Sequence, residues 1–191
     1  SLDDVRNFRQ IGSRCPGHPE FGYTDGVETT TGPLGQGVST AVGMAIAESM
    51  LAARFNTADA SIVNHYTYAL VGEGCLMEGV ASEASSLAGH LKLGKLIVFY
   101  DENRICIDGP TDMTLTEDIG ARYAAYGWQV LSGDMYDYAG IEALVAKAKA
   151  DGRPSLVMLK SVIGKGAASV AGSAKAHGAP IGAEGIAAAK K

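Results

Sequence analysis

Two stretches of this sequence set oxygen-bearing side chains among glycines directly after apolar runs. In the first, GEGCLMEG at 72–79, Glu73 stands between two glycines that follow the apolar run ending at Val71. In the second, DENRICIDG at 101–109, Asp101, Glu102 and Asn103 follow LIVFY. Glycines in such places let the backbone turn tightly and let another group come close. A carboxylate on the turn has two candidate roles: to cap the next helix, or to hold a cation that in turn holds a phosphate. Asp101, Glu102 and Asn103 are oxygen ligands of the hard-cation type, and a few carboxyl or amide oxygens with carbonyls suit Mg²⁺ or Ca²⁺ better than zinc. A third glycine turn, IGKG, lies at 163–166. Each segment alone reads as a cap or turn, so the chemistry depends on whether the fold brings the three together.

The pattern of the chain supplies elements that can do so. A short helix is expected from Asp3, followed by a long loop punctuated by glycine and proline from Gly17 to Gly37. Loops of that length in compact domains are usually functional or disordered. The segment 38–55 then places Val38, Val42, Ala45, Ile46 and Ser49 at helical spacing, and Gly43 within it predicts close packing against a neighbour. Beyond it, apolar runs at 66–72, 96–103, 128–134 and 154–164 read as strands. The segments 76–93, 116–127 and 138–151 between them read as helices. Strands alternating with helices predict an α/β fold: a doubly wound parallel sheet with helices on both faces. Ligands of such sheets sit at the carboxyl ends of the strands, where GEG, DEN and IGKG all fall.

Composition narrows the function classes. With 191 residues, 47% of them hydrophobic, the chain can bury one substantial core, and a single domain over 1–191 is expected. A net charge of −5 without a basic cluster argues against a nucleic-acid partner. No apolar stretch long enough for a membrane span and no signal peptide are read, so a cytoplasmic location is expected. Cys15, Cys75 and Cys106 are odd in number and lack C-x-x-C spacing, which suggests neither a disulfide framework nor a zinc site. A dinucleotide-binding reading lacks its G-x-G-x-x-G after the first strand. His65 and His90 read as ordinary surface or half-buried histidines.

With these residues in view, the chain resembles the diphosphate-binding domain of the transketolases, thiamine-diphosphate enzymes of sugar-phosphate metabolism. The resemblance rests on FRQIGSRCPGHPE at 8–20, VETTTGPLGQGVSTAVGMAIAE at 27–48, residues 72–109, RYAAYGWQVL at 122–131 and HGAPIG at 177–182. The glycine–acid–glycine followed by asparagine is a general thiamine-diphosphate pattern. The long loop and HGAP specify transketolase within that class. The resemblance implies that Glu73, Asn103 and the Ile105 carbonyl hold the divalent metal, Mg²⁺ or Ca²⁺, and that the Gly74 backbone meets the diphosphate. It further implies that the loop with Gly32 and Leu34 contacts the cofactor, and that Ile107 and Ile163 line its thiazolium side. His18 and His177 correspond to histidines facing the reacting centre, a role that suits a group with a pKa near neutrality. Glu78 and Glu83 match glutamates at a subunit contact near the cofactor.

The resemblance also implies partners. Sugar phosphates are the substrates, and a pyrimidine-binding domain or chain completes the pocket, within a homo- or hetero-oligomer. The isolated chain is then expected to be inactive or nearly so. One departure stands out: the family pattern has aspartate where this chain has Glu73, a side chain longer by one methylene. A subunit of a dihydroxyacetone synthase-like enzyme, or a non-catalytic module, would carry the same motifs.

Overall fold

The computed structural model describes all residues, Ser1–Lys191. Its centre is a four-stranded parallel sheet of β1 (Thr67–Val71), β2 (Leu96–Glu102), β5 (Gln129–Asp134) and β6 (Ser155–Lys160), in the order β1-β2-β6-β5. A two-stranded antiparallel hairpin, β3 (Ile105–Cys106) with β4 (Gly109–Pro110), follows β2. The helices are α1 (Leu2–Arg6), α2 (Gln36–Phe55), α3 (Glu73–Met77), α4 (Gly79–His90), α5 (Ile119–Ala125), α6 (Tyr138–Ala150) and α7 (Gly182–Ala189). The expected α/β architecture is therefore present.

Side chains alternate across the sheet, as the pleat requires. Leu96, Val98 and Tyr100 of β2 join Leu156 of β6 in a core completed by α2, α3, α4 and α5. Ile97, Val157 and Leu159 point the other way and pack with Ala148, Ile141 and Leu144 of α6. Helices thus cover both faces, although Leu70 of β1 stays exposed and Tyr68 is only partly covered, with the Lys149 ammonium of α6 over its ring. The register sets Val71 beside Tyr100 and Asp101 beside Leu159, which brings the carboxyl ends of β1, β2 and β6 level.

Several boundaries differ from the pattern reading. The segment expected to be one helix over 76–93 is two, α3 and α4, broken at Glu78, whose backbone is extended. The Glu78 side chain lies against Gly35, and the break lets the 32–35 loop seat there. Helix α5 starts late because Asp118 caps it, accepting the Ala121 amide at 2.9 Å. The strand expected to reach 164 ends at Lys160, and the chain then turns. In α2 the inward stripe includes Glu48 instead of Ser49, with Glu48 buried and paired to Lys95. By length and composition α2 is also apolar enough to cross a bilayer, contrary to expectation. Its buried stripe packs against the sheet and α4, as a core helix does.

Two helical glycines have opposite surroundings. Gly89 in α4 lies where a Cβ would run into the Tyr126 carbonyl and come within 3.2 Å of Trp128. That close approach lets Trp128 donate its indole N–H to the Ser85 carbonyl at 2.8 Å, while Tyr123 bonds the Ser85 hydroxyl at 3.0 Å. Gly43, expected at a close contact, is exposed, with nothing within 4 Å of its virtual Cβ. Gly89→Ala is therefore expected to destabilise the protein by roughly 3 kcal/mol through overpacking. Gly43→Ala should stabilise it by about 1 kcal/mol through helix propensity. Urea unfolding of the two variants checks both signs.

Candidate functional site

At the carboxyl end of β1 the chain turns through Gly72 into α3, and Glu73 becomes the first residue of that helix. Its side chain does not cap the helix. It is 4% exposed and turns towards the end of β2, where Tyr100 donates its hydroxyl to Oε2 and the Arg104 backbone N–H donates to Oε1. A buried carboxylate needs such donors, because losing water without replacement is costly. Arg104 turns with a φ of 63°, and its amide meets the acid. Burial, followed by the neighbouring Glu73 carboxylate, raises the Tyr100 phenol well above its ordinary range, so it stays a donor. The same charge, after burial, pushes the Cys106 thiol up, and that thiol packs on the Met77 sulfur at 3.7 Å.

The three oxygen-bearing side chains at 101–103 divide. Asp101 accepts the Ser161 hydroxyl and ties β2 to the end of β6. Glu102 pairs with the Arg104 guanidinium at 3.1 Å. Neither is hydrogen-bonded to the Glu73 turn, and each ties down its own segment. Asn103 remains, its Oδ1 accepting the Ile105 amide at 2.9 Å. The candidate donor set is thus one carboxylate, one amide oxygen and the Ile105 carbonyl of the adjoining hairpin. These hard oxygens fit Mg²⁺ or Ca²⁺, and carboxylate oxygens that accept one hydrogen bond keep a lone pair for a cation.

Beside this turn lies a pocket of about 200 Å³ lined by His18, Gly32, Leu34, Leu70, Val71 and Cys75. The loop reaches it through Leu34, whose Cδ1 is 2.9 Å from where a Cβ on Gly74 would sit. Glycine at 74 therefore leaves the turn and the loop in direct contact. The His18 ring borders Gly32, 3.5 Å from that residue's virtual Cβ. A larger cavity, about 390 Å³, opens at the amino ends of the strands among Glu48, Lys92, Lys95 and Lys149. It is at the wrong end of the sheet for ligand binding. Lys149 there lies in the last turn of α6, where a cation complements the helix end.

The remaining expected residues lie on two other segments, the loop after β6 and the β3–β4 hairpin. Ile163 is half-buried, and its carbonyl accepts the Gly172 amide at 2.9 Å. Tyr136 holds the preceding residue, its hydroxyl accepting the Val162 amide at 2.9 Å. Ala176 packs on Gly164, which carries the exposed His177 to this loop. Ile107 is 69% exposed at the tip of the β3–β4 hairpin. The fold thus gathers Glu73, Gly74, Asn103, Ile105, Gly32, Leu34 and His18 around the ends of β1 and β2. It sets Ile163 and His177 together past β6. Glu78 and Glu83 are exposed, as are His65 and His90. Sequence reasoning missed Tyr100, Tyr136, Leu70 and Cys75. For Tyr100 there was a signal, since the alternation of β2 puts it on the core face with Leu96 and Val98.

The whole chain, residues 1–191, matches the family model described as transketolase, thiamine diphosphate binding domain. It is 69% identical over 191 residues to a transketolase of Treponema pallidum, covering 100% of this chain and 29% of that protein. Against a Streptococcus pyogenes transketolase it is 57% identical over 193 residues, covering 100% of this chain and 26% of that one. Among solved structures, a transketolase from Leishmania mexicana superposes with a TM-score of 0.94 at 53% identity, over 100% of this chain and 29% of the other. A Pichia stipitis transketolase gives a TM-score of 0.94 at 48% identity, over 100% and 28%. The chain spans less than a third of the length of these relatives. It belongs to the transketolase family, whose thiamine-diphosphate-binding domain it matches from end to end.

Proposed function

We propose that these residues form the diphosphate- and metal-holding half of a transketolase, which transfers a two-carbon ketol unit between sugar phosphates once a pyrimidine-binding domain completes the pocket. The observation that carries this is the buried Glu73 carboxylate at the end of β1, held next to Asn103 and the β3 hairpin. Glu73, Asn103 and the Ile105 carbonyl would hold Mg²⁺ or Ca²⁺. The Gly74 backbone would meet the diphosphate, and Gly32 and Leu34 would close over it from the loop. Ile107 and Ile163 would give the thiazolium side an apolar wall. When bound, thiamine diphosphate supplies the electron sink that lets a bond beside a carbonyl break.

The protein's remaining work is positioning and proton transfer. His18 lines the pocket and His177 follows Ala176, which packs on the loop after β6; both positions support a reading in which the two histidines face the substrate. Each would bond substrate hydroxyl or carbonyl oxygens and move protons there. Sugar phosphates as substrates gain support from the Pichia stipitis transketolase, which was solved in complex with sedoheptulose-7-phosphate. The exposed Glu78 and Glu83 support a subunit contact beside the site. Three free cysteines support a reducing, cytoplasmic setting.

Two outcomes are expected in the full polypeptide that carries these residues. Thiamine diphosphate should bind only with Mg²⁺ or Ca²⁺ present, and Glu73→Ala should weaken that binding at least tenfold by calorimetry. Metal-independent binding of equal strength would sink the site. His18→Ala and His177→Ala should each lower kcat by about 10²-fold with cofactor affinity little changed. Unchanged turnover in both would remove the histidines from the mechanism.

A further inference from the structure

Glutamate reaches its carboxylate through three side-chain torsions, and a ligand that must meet a small cation has to be held in one arrangement of them. Nothing in the helix around Glu73 does this, since α3 is a single short stretch whose cap residue, Gly72, has no side chain. The restraint comes from the far strand. Tyr100 is 2% exposed, wedged in the core with Leu96 and Val98 of its own strand, and its hydroxyl reaches only Oε2 of Glu73. The Arg104 amide occupies Oε1 from the other side. Two donors on two oxygens fix both the position and the plane of the carboxylate.

We infer that Tyr100 is a positioning residue for the metal site: its hydroxyl, with the Arg104 amide, forms a fork that sets the Glu73 carboxylate in its metal-holding orientation before any ligand arrives. The inference rests on the reading of Glu73 as a metal ligand. It assigns a role to a side chain that touches neither metal nor cofactor. Partners of this kind typically govern metal affinity by 10- to 100-fold. The fork is also matched to the length of the glutamate arm. An aspartate in place of Glu73 is shorter by one methylene, so its carboxylate would fall short of the Tyr100 hydroxyl and the coupling would vanish.

The test is a cycle of Tyr100→Phe, Glu73→Asp and the double variant in the full polypeptide, with Mg²⁺ titrated calorimetrically in the presence of thiamine diphosphate. Phenylalanine keeps the buried ring and removes only the O–H. Tyr100→Phe is expected to weaken Mg²⁺ binding about tenfold or more with Glu73 present, and less than about twofold in the Glu73→Asp background. Equal losses in both backgrounds would mark Tyr100 as a core residue only and overturn the inference. So would Mg²⁺ affinity unchanged by Tyr100→Phe, with the metal site itself left standing. Cofactor binding by the unsubstituted protein that ignores Mg²⁺ would overturn the metal-site reading and the inference with it. Should Tyr100→Phe not fold, the unsubstituted protein carries the test. Mg²⁺ should then perturb the near-ultraviolet absorbance of a buried tyrosine, and Glu73→Asp should abolish that signal. Absence of any tyrosine perturbation would overturn the inference.

Discussion

A carboxylate that has left water must find donors, and in this protein that requirement is met across the gap between two strands. Burying an unpaired charge costs several kcal/mol, more than any single turn contributes. Glu73 therefore ties the end of β1 to Tyr100 on β2 and to the Arg104 amide beyond it. The level register of the strands makes this reach possible, with Val71 directly beside Tyr100. Asp101 repeats the device one strand further, taking the Ser161 hydroxyl at the end of β6. Two acids thus hold three strand ends in one row, and the crevice at that row is where a parallel sheet offers its ligands their site.

The helices serve the same arrangement from behind. The aromatic cluster of Tyr123 and Trp128, with ring centroids 5.1 Å apart and nearly perpendicular, pins α5 and β5 to Ser85 of α4. Helix α4 in turn packs on α2, whose N-cap, Gly35, lies against the Glu78 and Val80 side chains. The loop carrying Gly32 and Leu34 is therefore anchored to the same body as the Glu73 turn. Flexible donors are replaced by ones fixed in place, which is what a site for a small, geometrically demanding cation needs.

Much of this was legible in the sequence because alternation and glycine placement are local signals. The four strands, the helices between them and the convergence of GEG, DEN and IGKG at one end all follow from them. What escaped was non-local. Asp101 and Glu102 look like cation ligands by type, yet in the fold Asp101 accepts from Ser161 and Glu102 pairs with Arg104, contacts that only the folded chain reveals. Gly43 reads as a packing glycine because of its helix, although its own face points outward. The break at Glu78 depends on Gly35, far back in the chain. Tyr100 reads as one more apolar strand residue until its hydroxyl is seen to face the buried Glu73 carboxylate. Ser49 and Glu48 exchange roles for a similar reason, since Lys95 at the foot of β2 gives the glutamate a partner in the interior.

Glu73, Asn103 and the Ile105 carbonyl forming one cation site at the ends of β1 and β2 is the central claim. Anomalous diffraction from the full polypeptide crystallised with Mn²⁺ and thiamine diphosphate tests it most directly. A metal peak is expected within about 2.4 Å of all three oxygens, with the Tyr100 hydroxyl still donating to Oε2 of Glu73. A metal bound away from Glu73, or a diphosphate seated in the crevice with no metal between it and this carboxylate, would contradict it.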